Sequence, residues 1–390
     1  MKAGRSRRDI FALAAAALVC GAAPALAQDT VKIGVIMPMT GPFQSVGWQT
    51  NAAVKLFIDK NGSTVAGKKI EVILKDDGGV PDNAKRIAQE MIVRDKVNVL
   101  FGFGLTPIAM AVAPLATEAK VPMIVTVAST SVVVDRSPYI VRTIQTVPQV
   151  ANIIGQWSAK SGIKSVVSIV SDYAPGHEME DWYAKAFEKE GGKVLERVRV
   201  PLANPDFAPF LQRARDASPD GIFAFVPAGV GAIFAKQFIE RGLDKTGIRF
   251  VVMSDVLDDD LLNGMGDPVI GFVSGGPYSI AHDSATNKEF VKAFRAANNN
   301  RRPNIVSVSA YDGMEVIYRA LKATNGAADG PTLVNAMKGL TWESPRGPVL
   351  IDPATRDIVQ NVYMRKVERR DGELYSVEFQ TFPAVKDPTR

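Results

Sequence analysis

Short apolar runs alternate with longer amphipathic stretches through the first two thirds of the chain. The runs are rich in Val and Ile and are apolar on both faces, a pattern typical of parallel strands covered by helices on each side. The longer stretches repeat apolar residues every three or four positions, which predicts amphipathic helices. The first of these units are VKIGVIM, GWQTNAAVKLFIDKNG, KIEVILKDD and PDNAKRIAQEMIVRD, with Asp82 as the expected N-cap of the last one. Alternating strands and helices predict parallel βαβ units.

The same alternation restarts at Val147, which predicts a second parallel sheet and therefore two similar α/β lobes. In the last third, helical stretches are followed by two strands that flank Asp371-Gly372, a dipeptide that favours the tight turn of a β-hairpin. This hairpin has no core of its own, so we expect it to pack on an earlier sheet. The chain must then cross between the lobes several times.

The first 27 residues have the composition of a secretory signal peptide. A basic start precedes the apolar stretch FALAAAALVCGAA and a small-residue cleavage site, which predicts export with cleavage after Ala27. Sec and twin-arginine export both stay open. The peptide holds four of the 46 Lys and Arg and one of the 41 Asp and Glu, so 42 basic and 40 acidic residues remain. That balance does not favour a nucleic-acid partner. Cys20 is the only cysteine, which excludes disulfides and thiolate sites from the exported protein.

The glycine-containing stretch FGFGLTP, residues 101–107, raises the question of a nucleotide loop. A dinucleotide fingerprint needs a third glycine where Pro107 stands, and an acidic residue about 20 positions later, where the chain has Lys120 and Val121. The sequence also lacks a Gly-x-Ser-x-Gly motif and closely spaced metal-binding histidines. We therefore predict no catalytic residue, no metal and no cofactor. The stretch is interpreted as an anion site at a helix N-terminus.

Seven stretches of the chain, taken in order, resemble the leucine/isoleucine/valine-binding family of periplasmic solute-binding proteins, which serve ABC importers. They are VKIGVIMPMTGPFQSVG, KDDGGVPDNA, KVPMIVTVASTS, IVRT, DYAPGHEME, VSVSAYDGMEVIYRAL and ESPRGPVLIDPATRDIVQNVYMRKVE. The resemblance implies the α/β fold of type I periplasmic binding proteins, with two doubly wound parallel-sheet lobes joined by a multi-crossover hinge. We expect residues 28–147 and 278–354 in the first lobe, and residues 148–277 and 355–390 in the second. The lobes are expected to close around a ligand.

The resemblance also implies which residues bind a ligand carboxylate. Matched by motif, one turn places Thr106 and Leu105 at the site, and a second turn places Val127 and Ser129 there. A hydroxyl and unpaired N–H groups at helix N-termini suit a carboxylate, although the two hydroxyls could instead cap their helices. Asp255 stands where amino-acid-binding members carry an acid for the ligand ammonium group. It could equally accept a ligand hydroxyl or cap a helix.

The resemblance leaves the ligand open between an aromatic acid such as a hydroxybenzoate and an apolar or branched-chain amino acid. Small residues at three expected wall positions, which favour a broad cavity and the aromatic-acid branch of the family, are Val46, Gly176 and Pro227. The aromatic residues expected to floor that cavity, each of which could instead belong to the core, are Phe43, Phe103, Tyr173 and Tyr278.

The leading hypothesis is a monomeric, non-catalytic extracytoplasmic receptor that binds a small carboxylate and docks on a membrane permease. The alternatives are a ligand-sensing module that signals to a partner, and a hydrolase or other enzyme on the same fold. Two further groups of residues are given structural roles. Arg142 is expected to form structural hydrogen bonds at the lobe crossing, and Asp258–Asp260 are interpreted as capping the helix that follows them.

Overall fold

The computed structural model describes residues 29–202, 205–227 and 230–390. The predicted signal peptide lies outside the described residues. Within the described ranges, no helix is long and apolar enough to cross a membrane. The same ranges contain no cluster of three or more His, Cys, Asp or Glu residues that could hold a metal ion.

The described part of the chain contains fifteen strands and eleven α-helices. The strands are β1 Thr30–Met37, β2 Thr64–Val65, β3 Lys68–Asp76, β4 Val99–Gly102, β5 Met123–Val125, β6 Ile140–Arg142, β7 Ser165–Ser171, β8 Lys193–Val200, β9 Gly221–Phe225, β10 Arg249–Met253, β11 Val273–Gly276, β12 Thr341–Ser344, β13 Gly347–Ile351, β14 Ile358–Arg370 and β15 Glu373–Val385. The helices are α1 Gln44–Asn61, α2 Pro81–Glu90, α3 Thr106–Ala119, α4 Val147–Lys160, α5 Ala174–Lys189, α6 Ala208–Asp216, α7 Gly231–Glu240, α8 Leu262–Met265, α9 Ala285–Ala297, α10 Ile305–Ala323 and α11 Gly330–Met337.

The first lobe is built on a six-stranded sheet in the order β2-β3-β1-β4-β5-β6, parallel except for the short β2. Side chains of β1 show why both faces are covered. Val31, Ile33 and Val35 pack with α1, α9, α10 and α11, whereas Ile36 packs with α2 and α3 on the other face. This doubly wound arrangement confirms the prediction from the apolar runs.

The second lobe is built on a nine-stranded mixed sheet in the order β12-β13-β14-β11-β10-β9-β7-β8, with β15 paired to β14. Strands β7 to β11 are parallel to their neighbours among themselves, and the strands from β12 to β15 pair antiparallel. Helices α4 and α5 cover one face, and α6 and α7 cover the other. The predicted hairpin is confirmed, because β14 and β15 flank Asp371 and Gly372.

Two details differ from the sequence predictions. The N-cap of α2 is Val80 with Pro81 in the first turn, so Asp82 lies within the helix and does not cap it. Residues 341–351 were expected in the first lobe, yet β12 and β13 are hydrogen-bonded into the sheet of the second lobe. Their apolar side chains, Trp342 among them, pack on the core of the first lobe. This segment therefore joins the two lobes.

Candidate functional site

A cavity lies between the two lobes, at the carboxyl ends of parallel strands from both sheets. This edge is where ligands bind in open α/β sheets, because the connecting loops diverge there. The part of this cavity that the centres of water-sized molecules can reach is small, about 40 Å³. The described residues that line it are Phe43, Val46, Gly104, Leu105, Thr106, Val127, Ala128, Ser129, Ile144, Gln145, Tyr173, Pro175, Phe225, Pro227, Asp255, Ile305 and Val306.

The first lining turn leaves β4 and enters α3. Gly102 has φ +113° and a side chain there would collide with the carbonyl oxygen of Ile36, so glycine is required at this close approach. Thr106 is buried at the first position of α3, and its hydroxyl lies 2.9 Å from that of Thr130. The N-cap of α3 is Leu105, and no side chain caps the helix. The alternative in which Thr106 merely caps α3 therefore has no support in the geometry.

The second lining turn, Val127–Ser129, follows β5, and hydrogen bonds from Arg142 hold it in place. The guanidinium of Arg142 is fully buried, and its Nη1 donates to the carbonyl oxygen of Thr130 at 2.6 Å. Its Nε donates to Asp357 Oδ1 at 2.7 Å. These contacts confirm the structural role predicted for Arg142. They also tie the loop that carries Ser129 to Asp357, which lies between β13 and β14.

The second lobe contributes aromatic and acidic groups to the opposite wall. The rings of Tyr173 and Phe225 are nearly parallel, at 5°, with centroids 6.2 Å apart. Pro175, Pro227 and the half-buried Asp255 complete this wall among the described residues. Offset, parallel rings beside an apolar wall suit a flat ligand.

Asp255 supplies the ionisable carboxyl group of the cavity wall. Burial raises the pKa of Asp255 to about 6, against the hydrogen bond from Ser254 and the positive charge of Arg365. Burial and the nearby Asp255 raise the pKa of the Tyr173 phenol as well, so this hydroxyl stays protonated. No Lys or Arg stands among the described lining residues. An anion in this cavity would therefore depend on neutral donors and helix N-termini.

Seven of the nine residues predicted at the site line the cavity, and two do not. Phe103 is fully buried in the core between α2 and α3. The positive φ of 71° in this turn directs its ring away from the cavity. Tyr278 is buried in the core of the first lobe, where its hydroxyl lies 3.1 Å from Asn287 Oδ1. The expectation that both floor the cavity is corrected accordingly.

Of the three small residues expected in the cavity wall, two line the cavity and one does not. Val46 and Pro227 line the cavity, as expected from the resemblance. Gly176 does not line it, and a side chain there would overlap with the backbone of Ser171. Gly176 therefore serves the close approach of α5 to β7, and it does not widen the cavity.

Sequence reasoning missed eight lining residues, which are Gly104, Ala128, Ile144, Gln145, Pro175, Phe225, Ile305 and Val306. Most of them follow predicted strands or begin predicted helices. Their places at the carboxyl ends of strands were therefore an available signal. Gln145 is the polar member of the group and is 2% exposed.

The three consecutive aspartates near the cavity do not cap the helix that follows. The N-cap of α8 is Leu261, without a side-chain bond. Asp258 Oδ2 instead accepts from Asn304 Nδ2 at 2.9 Å, Asp259 Oδ2 accepts from a backbone N–H at 3.1 Å, and Asp260 pairs with Arg301 at 2.7 Å. Burial, together with the negative charges of Asp260 and Asp259, raises the pKa of Asp258 to about 8.

A direct bond joins the lobes beside the cavity. Both carboxylate oxygens of Glu178 in α5 accept from the backbone N–H of Ser131, at 3.2 and 3.1 Å, and the Ser131 hydroxyl also donates to Glu178. Glu178 lies in the segment that begins with Tyr173, and Ser131 follows Ser129. The two segments that face each other across the cavity are thus tied together at its edge.

Two doubly wound lobes around an interlobe cavity define the class of type I periplasmic binding proteins. A family model described as "Periplasmic binding protein" matches residues 30–373. The chain belongs to this family, whose members are solute-binding receptors.

Three proteins are similar to this chain over most of its length. A Leu/Ile/Val-binding protein homolog from Brucella melitensis is 41% identical over 382 residues, which cover 97% of this chain and 98% of that protein. A solute-binding protein of an ABC transporter from Rhodopseudomonas palustris BisB5, solved in complex with 3,4-dihydroxybenzoic acid, is 59% identical with a TM-score of 0.91, covering 93% of this chain and 99% of that one. A solute-binding protein from R. palustris, solved with 4-hydroxybenzoate, is 41% identical with a TM-score of 0.89 and the same coverage.

Proposed function

We propose that this receptor captures a small aromatic carboxylate, such as a hydroxybenzoate, and delivers it to the membrane permease of an ABC importer. The observation that carries the proposal is the cavity itself. It combines hydroxyl groups and a helix N-terminus on one lobe with a parallel aromatic pair on the other. The ligands of the two R. palustris proteins, which are 59% and 41% identical to this chain, support the same class of compound.

The proposed contacts follow from the placement of the lining residues. The hydroxyls of Thr106 and Ser129, with backbone N–H groups at Leu105 and Val127, bind the carboxylate. This fits an anion because the N-terminal end of α3 carries a partial positive charge. A ring held against Tyr173 then lies across from the carboxylate turns, with Phe43 at the edge of the cavity. Asp255 accepts a hydrogen bond from a polar substituent.

An apolar α-amino acid is the second candidate, and Asp255 is the observation that favours it. An acid in the cavity wall would pair with an ammonium group. The name of the Brucella relative points in the same direction. An aromatic acid carries no positive charge to pair with Asp255. With such a ligand, Asp255 would act as a neutral or hydrogen-bonding partner, which its raised pKa allows.

The proposal extends to the location and assembly of the protein. We propose export to the periplasm with cleavage after Ala27, a monomeric state, and a non-catalytic role. We also propose lobe boundaries near residues 147 and 277, where α4 begins and shortly after β11 ends.

Thermal unfolding of the mature protein tests the ligand class. The panel contains benzoate, 4-hydroxybenzoate, 3,4-dihydroxybenzoate, leucine and phenylalanine. A ligand at 1,000 times its Kd stabilises the folded form by about 4 kcal/mol, and titration calorimetry then gives the Kd. Stabilisation by leucine without any by the aromatic acids would overturn the aromatic proposal.

Two further measurements separate the alternative functions. An enzyme would convert the bound acid, so chromatography should recover it unchanged from the binding receptor. Deletion of the gene should abolish high-affinity uptake of the labelled acid by cells. Normal uptake with a lost transcriptional response would favour a sensing module.

A further inference from the structure

Gln145 carries a polar group that the protein itself leaves unsatisfied. The residue is 2% exposed and lines the cavity between the lobes. Its Oε1 atom is buried and has no hydrogen-bond partner among the residues that the structure describes. A buried carbonyl oxygen without a partner is unfavourable, and such groups are rare in folded proteins. Gln145 Oε1 therefore lacks a hydrogen-bond donor.

Backbone hydrogen bonds on both sides of Gln145 fix the position of its Cα atom at the cavity wall. Thr143 N donates to Val125 O at 3.0 Å, and Val147 N donates to Ser129 O at 2.8 Å. These two bonds align the segments and place Gln145 beside Val127. Immediately after it, Thr146 and Gln149 form the capping box of α4, whose backbone bond to Gln149 Oε1 is 2.8 Å long.

The other polar groups of the cavity indicate which hydrogen-bonding groups a ligand must supply. The turns at Thr106 and Ser129 offer donors, which a carboxylate satisfies. Gln145 Oε1 and the Asp255 carboxylate are acceptors, which a carboxylate cannot satisfy. A ligand that matches the whole wall must therefore carry a hydrogen-bond donor in addition to its acid group. A neutral amide acceptor also adds no negative charge beside the bound anion.

We infer that Gln145 Oε1 accepts a hydrogen bond from a ligand hydroxyl, and that this bond selects hydroxylated aromatic acids over benzoate. The inference rests on the proposed function, since it assigns one specificity contact within that site. A site built to bond a hydroxyl discriminates strongly against the analogue that lacks it, because the protein group is then left unpaired.

Calorimetric titration of 3,4-dihydroxybenzoate and benzoate into the mature protein tests the inference. Gln145→Met removes the acceptor at similar volume, and Gln145→Ala removes it with less bulk. Gln156→Met is the matched control, because Gln156 lies on α4 and lines a separate surface pocket. Thermal unfolding of each variant verifies the fold. The quantity compared is the ratio of the two Kd values, in which any general damage to the site cancels.

In the wild type and in Gln156→Met, the dihydroxy acid should bind about 10–100-fold more tightly than benzoate. Gln145→Met and Gln145→Ala should reduce that ratio to within about threefold of unity, mainly by weakening the dihydroxy acid. An unchanged ratio in folded Gln145 variants, or equal weakening of both acids, overturns the role of Gln145 and leaves the proposed function intact. Failure of both acids to bind the wild type overturns the two proposals together.

Discussion

Replacing Arg142 with Met should destabilise the protein by far more than the loss of an ordinary ion pair. The side chain is fully buried, and Asp357, its partner, is 2% exposed. Arg142 Nη2 lies 2.6 Å from Asp357 Oδ1, and Nη1 donates to Thr130 O at 2.6 Å. The substitution keeps most of the side-chain volume and removes the charge. It leaves a buried carboxylate without its cation.

The expected magnitude follows from this burial. Breaking a buried pair by removing one partner costs about 3–5 kcal/mol, because the remaining charge has no compensation. Burial already raises the pKa of Asp357, and Arg142 lowers it. Without Arg142 that pKa rises further, so the folded form of the variant gains stability relative to the unfolded form as pH falls. The penalty should therefore shrink in acid, since a protonated Asp357 needs no cation.

Urea denaturation at pH 7.5 and pH 5 measures both effects. The control is Lys236→Met, which breaks an exposed pair with Glu240 and should cost less than about 0.5 kcal/mol. The double variant Arg142→Met/Asp357→Asn should recover at least half of the lost stability, because the unpaired charge is gone. A cost below about 1 kcal/mol for Arg142→Met, or no recovery in the double variant, would refute the reasoning from an uncompensated charge.

Three further predictions concern ligand affinity, the pH dependence of stability and the packing of α5. Thr106→Val should weaken 4-hydroxybenzoate by about 10–100-fold in calorimetry, the value of a hydrogen bond to a charged group, whereas Thr117→Val, farther along α3, should leave affinity unchanged; equal affinities would contradict the carboxylate assignment. Unfolding free energy of the ligand-free protein should fall from pH 5 to pH 8, because Asp258 with a pKa of about 8 keeps its proton only when folded; Asp258→Asn should flatten that slope, and a stability that rises with pH would argue against it. Gly176→Ala should lower stability by about 1–3 kcal/mol through overlap with the backbone, while Gly264→Ala, which meets open space, should stay within about 0.5 kcal/mol in thermal unfolding.

The alternation of apolar runs was sufficient to predict both lobes, because each strand and helix carries its own period. Sheet membership was not predictable in the same way. Trp342 in β12 packs on the first lobe, yet the backbone of that strand is bonded to the second sheet. Strand β11, with the sequence VSGG, lacks the β-branched run that marks the others. Pairing partners far apart along the chain leave no local pattern.

Motif position predicted which turns reach the cavity, but not which way each side chain points. Leu105, Thr106, Val127 and Ser129 lie together because the turns follow neighbouring parallel strands, β4 and β5. Phe103 lies in the same turn and faces the core, because its positive φ redirects the side chain. Side-chain direction depends on backbone dihedral angles, which the residue type alone does not specify.

Different residues join the two lobes and contact the proposed ligand. Glu178 accepts from Ser131 across the edge of the cavity, and neither residue lines the cavity. Because this bond joins the lobes without touching the ligand, we expect its loss to change all affinities by one factor. Gln145 faces the cavity itself, so its bond contributes only when the ligand supplies a donor. Overall affinity and selectivity can therefore change independently in this receptor, because the groups responsible lie on separate surfaces of the same cleft.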